Sequence, residues 1–382
     1  MEKLETYMLT VIEDRRPGRS AAFLRWVLKQ LSRIYAAIVQ LRLGLYTHGF
    51  FRYHTLGCQV VSVGNLTVGG TGKTPIVEVF ARSLQKQGRK VAILSRGYKR
   101  HELPLYKRIF DQLVGKRKLL PTLVVSDGKH LLLDSDVSGD EPYMLASNLP
   151  NVAVLVNKNR VKAGQYAITK LGCDMLILDD GFQYLHLKHR LDIVLVDRTN
   201  PFGNKSLLPR GVLREPIRNI KRASFIFITK SQGDSAEDLK KQLRELNPHA
   251  EISECRHNPK YIQDVFTGER KSLDFLKDLE VAAISGIAVP KGFEDGLVGL
   301  GAKVVYHKRY ADHHRYSQQE ILDVINKGLS RNAKAIITTE KDAVRFPMIE
   351  RRDLPIYFLR VEIEMLSGTE DFNACISRIC FK

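Results

Sequence analysis

The chain has 382 residues, with 60 Lys and Arg against 42 Asp and Glu, a formal net charge of +18. Its 44% hydrophobic and 27% charged content is ordinary for a globular protein and excludes a disordered chain, a collagen-like chain and a polytopic membrane protein. The length suits two or three domains, and the charge implies an anionic partner: nucleic acid, an anionic membrane or a phosphorylated substrate.

The first twenty residues carry acids and lack a clean apolar stretch before a small-residue cleavage site, so no signal peptide is expected. After Pro17-Gly18 a long helix is predicted over 21–46, with Ser20 as its cap. Arg25, Lys29, Ser32, Arg33 and Gln40 fall on one stripe, and most of the remaining circumference is apolar. The charges interrupt every window long enough to cross a bilayer. Two placements fit this pattern: a helix lying in a membrane interface, or one docked on the protein's own core.

Beyond residue 58 short apolar runs alternate with amphipathic stretches. Strands are predicted at 59–63, 90–95, 152–156, 175–179, 193–197 and 224–229, with helices at 75–87 and 159–171. This rhythm argues for a mostly parallel sheet covered by helices. A second series has strands at 279–285, 303–306 and 335–339 and helices at 292–300 and 317–329. The expected fold class is α/β: a P-loop NTPase-like domain (51–235) after an N-terminal helix (1–50), a linking region (236–275) and a smaller α/β lobe (276–382). A β-hairpin insertion is expected near 106–133, where LVVSDGKHLLLD reads as two short strands around a Ser-Asp-Gly turn. The basic run at 99–118 suits a solvated face or acidic headgroups. The five cysteines are scattered without a CxxC pair, which points to a reducing compartment and not to disulfides or a zinc site.

The strongest chemical signal is VVSVGNLTVGGTGKTPIVEVFARSL. A strand, a glycine-rich loop and a helix opened by Pro75 are the context a P-loop needs. Backbone N–H groups and a helix N-terminus would cradle phosphates, Lys73 would reach the β/γ-phosphates and Thr74 would ligate Mg²⁺. The pattern GxxxxGK[ST] has one departure, Thr67 in place of its first glycine; Gly69, Gly70 and Gly72 supply the flexibility. The expected nucleotide-binding stretch is Thr67, Val68, Gly69, Gly70, Thr71, Gly72, Lys73 and Thr74. Further on, MLILDDGF is an apolar strand ending in Asp179-Asp180, where an open α/β sheet binds ligands. One of the two acids suits Mg²⁺, directly or through water; turn chemistry at Asp-Gly is the other use of the pair.

SVGNLTVGGTGKTP, SRGY, GDEP, LILDDGFQ, LLPRGVLREP, ADHHRYS and TTEKDAVRF occur in that order. Together they resemble the tetraacyldisaccharide 4′-kinases, the lipid A 4′-kinases of Gram-negative bacteria, over roughly residues 20–350. The resemblance implies transfer of the ATP γ-phosphate to the 4′-hydroxyl of a tetraacylated glucosamine disaccharide 1-phosphate. It implies work at the cytoplasmic face of the inner membrane, with an anionic membrane surface as partner and a membrane-associated N-terminal helix. It also implies that Asp140, in GDEP, is the base on the sugar hydroxyl, assisted by His313 in ADHHRYS. From spacing alone Asp134 and Asp136 compete with Asp140, and His314 with His313; Asp140 also suits a helix N-cap.

Around this centre, Thr74, Asp179, Asp180 and Glu215 are candidates for the metal, and Arg96 and Arg214 for phosphate or substrate. Thr339-Glu340-Lys341-Asp342 is expected to contact nucleotide or act in lobe closure. Two other readings are a metal-delivery GTPase, against which Val156-Asn157-Lys158-Asn159 lacks the aspartate of a guanine motif, and an ATP-dependent ligase. No helicase series, zinc finger or RNA-binding sheet motif is evident, so a nucleic-acid partner is not expected. The oligomeric state is not legible.

Overall fold

The computed structural model describes residues 7–8, 10–12, 14–97, 121–233 and 236–380. The basic run at 99–118 and the first half of the 106–133 insertion lie outside the described residues.

The described strands are numbered along the chain: β1 (Gln59–Asn65), β2 (Val91–Ser95), β3 (Leu123–Asp127), β4 (Ala153–Val156), β5 (Met175–Asp179), β6 (Leu191–Asp197), β7 (Phe225–Thr229), β8 (Glu251–Asp264), β9 (Arg270–Lys271), β10 (Glu280–Ser285), β11 (Lys303–Arg309), β12 (Ala335–Thr339) and β13 (Ile356–Ser367). The chain divides into two compact units. One comprises Met1–Arg96, Asn157–Arg256 and Met365–Lys382; the other comprises Gly97–Val156 and His257–Glu364. Sequence position alone suggested contiguous blocks, whereas each unit is assembled from separate stretches of chain.

In the first unit the strand order is β8-β7-β6-β1-β5-β2, with parallel pairing throughout. The strands are apolar on both faces because helices cover both. Val60, Val61 and Val63 of β1 and all five residues of β5 are buried. On one face Phe80 of the helix Lys73–Lys86 meets Phe227 and Phe372, the latter from the C-terminal helix Thr369–Cys380. On the other, Leu243 of the helix Glu237–Leu246 packs with Val194, Val196 and Ile228. From β1 the chain crosses one way to β2, and from β5 it crosses the other way to β6. The carboxyl ends of β1, β5 and β6 therefore flank a topological switch point, where open α/β sheets place ligands.

The second unit holds a parallel set, β11-β10-β12-β13, and the antiparallel pair β3-β4. Ile321, Val324 and Ile325 of the helix Gln318–Leu329 pack on one face of the parallel set, and Leu297 of the helix Pro290–Gly299 on the other. Ser317 and Glu320 close a capping box on the first of these helices. Of the expected hairpin, β3 is the first strand; beyond the turn Leu131 bridges Ser126 and the Leu132 N–H donates to the Val125 carbonyl (2.8 Å), a return shorter than a full strand, and β3 also pairs with β4. The turn itself is as read, with Asp127 accepting from the N–H groups of Lys129 and His130.

The N-terminal helix runs Arg19–Thr47, and its N-cap is Gly18, not Ser20. The expected polar stripe splits. Ser32 donates to the Leu207 carbonyl (2.7 Å), Tyr35 to that of Arg214 (3.0 Å) and Gln40 to Asn219 (3.1 Å), all within the first unit. The helix thus docks through polar groups together with Ala21, Leu28 and Tyr46. Phe23, Trp26, Ile34, Ile38 and Leu41 stay 58–67% exposed along a separate stripe, near the exposed Lys29 and Arg33. No helix of the described residues is long and apolar enough to cross a membrane.

Candidate active site

One cluster of candidate residues lies within the first unit, at the carboxyl ends of β1 and β5. Gly72 takes φ 79°, the left-handed conformation that lets the loop turn directly into the helix starting at Lys73. Gly64 has a different reason: a Cβ there would come within 2.7 Å of Phe182, so only glycine lets β1 lie against the turn after Asp179-Asp180. The loop is braced from below. Asn65 donates to Thr71 (3.0 Å), Thr229 at the end of β7 donates to the Thr71 carbonyl (3.1 Å), and Val68 N–H donates to the Val212 carbonyl (2.8 Å). Thr67 and Thr71 are buried, while Val68, Gly69 and Gly70 are exposed. Thr67 replaces the usual glycine without disturbing this frame, because Leu66 and Thr67 are held by the 213–214 segment.

Asp180 gathers the cations. Arg214 donates to both of its oxygens (2.7 and 2.8 Å), and Lys73 Nζ stands 3.6 Å away, itself 3.4 Å from Asn65 Oδ1. Asp180 also has φ 54°, a conformation that Asp tolerates better than most residues and that is enriched at functional sites. Burial raises its carboxyl pKa, but Lys73 and Arg214 outweigh burial and hold it below the ordinary value. Asp179 is buried and accepts from Ser95 Oγ at 3.2 Å. Glu215 accepts from Asn219 (2.7 Å) and Arg222 (2.7 and 2.9 Å), so its carboxylate braces its own loop. Arg96 is exposed at the end of β2. Sequence reasoning passed over Arg160. It is buried, reaches the Asp179 carbonyl (3.4 Å) and stacks on Tyr184 (5.0 Å).

A second cluster of candidate residues lies within the other unit. Asp140 is the first residue of the helix Asp140–Asn148, whose N-cap is Gly139; its side chain makes no cap bond. Asp134 is the N-cap of the short helix Ser135–Ser138, and Asp136 pairs with Arg315. Only Asp140 of the three meets His313, with 3.0 Å between Oδ2 and Nδ1. His313 has φ 63°, also a non-glycine residue in the left-handed region. His314 faces elsewhere, bonded to Glu320 (3.0 Å) and stacked on Tyr310 (4.5 Å). The Lys341 ammonium lies 3.2 Å from His313 Nε2, a contact that suits the tautomer with its N–H on Nδ1 toward Asp140; Arg345 NH2 also lies 3.4 Å from Nδ1.

TTEKDAVRF lies in the same unit as Asp140 and His313. Its side chains hold both parts of this pair: Glu340 accepts from Asn148 at the far end of the Asp140 helix, Lys341 holds His313, and Arg345 donates to Asp140 Oδ2 at 2.8 Å. Burial raises the Asp140 pKa, but the His313 bond and Arg345 overcome it, so the carboxyl lies below its ordinary value. The arrangement is a carboxylate kept ionised and aimed by an imidazole, able to accept a proton from a hydroxyl.

A family model described as "Tetraacyldisaccharide-1-P 4'-kinase" matches residues 24–380. The chain belongs to the tetraacyldisaccharide 4′-kinase family. The tetraacyldisaccharide 4′-kinase of Halothermothrix orenii is 34% identical over 394 residues, covering 99% of this chain and 98% of that protein. That of Desulfatibacillum aliphaticivorans is 36% identical over 380 residues, covering 97% and 96%. A crystal structure titled as an "apo" form of LpxK from Aquifex aeolicus in complex with ATP is similar at TM-score 0.70 and 30% identity, over 94% of this chain and all of that one. The protein is therefore a kinase of lipid A biosynthesis, with the mixed α/β, mostly parallel fold of that relative.

Proposed function

We propose that the protein transfers the γ-phosphate of ATP to the 4′-hydroxyl of a tetraacylated glucosamine disaccharide 1-phosphate, with Asp140 as the base and His313 as its partner. The observation that carries the base assignment is the meeting of Asp140 and His313, 173 positions apart in sequence, at 3.0 Å. ATP is assigned to the stretch from Thr67 to Thr74. The exposed loop glycines and the helix N-terminus are its phosphate donors, and the relative with TM-score 0.70 was solved with ATP.

Thr74, Asp179 and Asp180 fit Mg²⁺, because a hydroxyl and carboxylates are the hard oxygen donors it takes beside water and phosphate. Bound Mg²⁺ would neutralise charge on the β- and γ-phosphates. Lys73 and Arg214, now paired with Asp180, would then serve the phosphates. Glu215 is retained only as a distant contributor to the metal site, since Arg222 and Asn219 hold its carboxylate. Arg96, exposed at a strand end, remains a candidate for substrate phosphate.

A loose phosphoryl-transfer transition state needs little base strength. An ionised Asp140 of low pKa is adequate, because the proton leaves late and the carboxylate mainly orients the hydroxyl.

The outward stripe of the helix Arg19–Thr47 supports seating at the membrane interface, with acyl chains left in the lipid. Lys29 and Arg33 would meet anionic headgroups, and the cytoplasmic leaflet is the one that supplies ATP. Incubating the protein with labelled ATP and the disaccharide 1-phosphate in mixed micelles should yield a 1,4′-bisphosphorylated lipid. Label at any other position, or none, would reject the assignment.

A further inference from the structure

The two carboxylate oxygens of Asp140 are not equivalent. Oδ2 takes the Arg345 Nε (2.8 Å) and the His313 Nδ1 (3.0 Å). Oδ1 meets the Arg315 NH2 at a looser 3.3 Å, and Arg315 is 44% exposed and shared with Asp136. Arg345 is the opposite case, with no side-chain exposure at all. Its NH1 reaches Asp342 Oδ1 (3.1 Å) and the Gly286 carbonyl (3.3 Å). Asp342, also fully buried, is itself fixed by the Tyr316 hydroxyl (2.9 Å), the Gly286 N–H (3.1 Å) and Thr339 (2.6 Å). The guanidinium is thus pinned on one side and presents Nε on the other.

We propose that Arg345 is the positioning residue for the base: it holds Oδ2 and leaves Oδ1 as the atom that takes the proton of the acceptor hydroxyl. This rests on the reading of Asp140 as base. As the hydroxyl oxygen bonds to phosphorus, the bond from phosphorus to the ADP oxygen breaks. The electron pair leaves with ADP and the hydroxyl proton passes to Oδ1, so no further reactant is needed. A proton arriving at Oδ2 would have to displace a buried, fork-shaped donor that has no other place to go. At Oδ1 it displaces a half-exposed arginine that keeps Asp136 as partner, a contact of small worth.

The charged groups around Asp140 are His313 with Lys341 behind it, Arg345 with Asp342 behind it, Arg315 with Asp136 behind it, and Glu141 next in the chain. Activity requires ionised Asp140, so turnover rises with pH through its pKa. Removing the nearest buried cation moves that limb upward.

The test is the pH profile of kcat for Arg345→Gln and Arg345→Lys in the full-length protein, alongside MgATP binding. In Arg345→Gln the acidic limb should move up by about one to three pH units, with MgATP affinity unchanged. Arg345→Lys keeps the charge but not the fork, so its limb should stay put while kcat falls roughly tenfold. A lower kcat at every pH with no movement of the limb would overturn the proposal and leave Arg345 a structural residue.

Arg345→Gln strands Asp342 in the interior, so the double variant Arg345→Gln/Asp342→Asn provides the same readout if the single one does not fold. Asp140→Asn separates the two readings. Near-normal turnover there rejects Asp140 as base. Loss there, with an unmoved limb in Arg345→Gln, rejects only the role of Arg345.

Discussion

Replacing Ile34 and Ile38 by serine should detach the enzyme from membranes without unfolding it. Both residues are 59% exposed on the outer side of the helix Arg19–Thr47, whose inner side is held by Ser32, Tyr35 and Gln40. Fully burying an isoleucine is worth roughly 1.5–3 kcal/mol, so burying the exposed three-fifths in lipid is worth about 1–2 kcal/mol each. The pair then contributes about 2–4 kcal/mol, or roughly 30-fold to several-hundred-fold in partitioning. Lys29 and Arg33 add about 1 kcal/mol apiece on an anionic surface, and only that part is screened by salt. Co-sedimentation with vesicles containing anionic lipid, at low and high salt, separates the two contributions. The serine pair should lower binding at both salt levels, while salt alone lowers it modestly in the unaltered protein. Equal binding of the variant and the unaltered protein, with equal thermal stability, would refute the interfacial seating of this helix.

Two further outcomes concern buried charge. Asp180→Asn releases Lys73 and Arg214 from their shared carboxylate, so metal-free ATP should bind roughly tenfold more tightly while Mg²⁺ loses its effect on binding; calorimetric titration with and without EDTA reads this directly. Asp342→Ala leaves the Arg345 guanidinium buried beside one carboxylate instead of two. It should cost about 3–5 kcal/mol in denaturant unfolding, far more than Asp136→Ala, whose ion pair with Arg315 is at the surface.

Much of the framework was legible because burial on both faces writes a strand as an uninterrupted apolar run. The segments at 175–179 and 335–339 coincide with β5 and β12 to the residue, each bounded by polar turn chemistry. The longer strands β8 and β13 were not legible. Glu251–Asp264 is mostly polar, with Arg256 to Lys260 uninterrupted by any large apolar side chain, and contains Pro259, which reads as a break, and Ile356–Ser367 ends in half-buried positions. Helix boundaries shifted where the loop, not a side chain, makes the cap: at Gly18 and Gly72 the glycine itself occupies that position.

At the site, the glycine loop and Asp179-Asp180 are local patterns and could be read locally. The choice of Asp140 over Asp134 and Asp136 could not, because all three suit a helix start and only contact across the unit distinguishes them. Arg345 gave no signal, since an arginine in an Ala-Val-Arg-Phe stretch looks like surface until its carboxylate partners, 205 and three positions away, are in place. The stripe on the N-terminal helix splits for a related reason. Ser32 and Gln40 are polar because backbone and side-chain partners await them inside the unit, while Phe23, Trp26, Ile34, Ile38 and Leu41 stay exposed.

The central claim is that Asp140 accepts the proton of the sugar hydroxyl, and the turnover of Asp140→Asn tests it most directly. With MgATP and the disaccharide 1-phosphate in mixed micelles, the account predicts a fall of roughly 10²–10⁴-fold in turnover with MgATP affinity unchanged. Turnover within a few-fold of the unaltered protein, or a matching loss of MgATP binding, would contradict it.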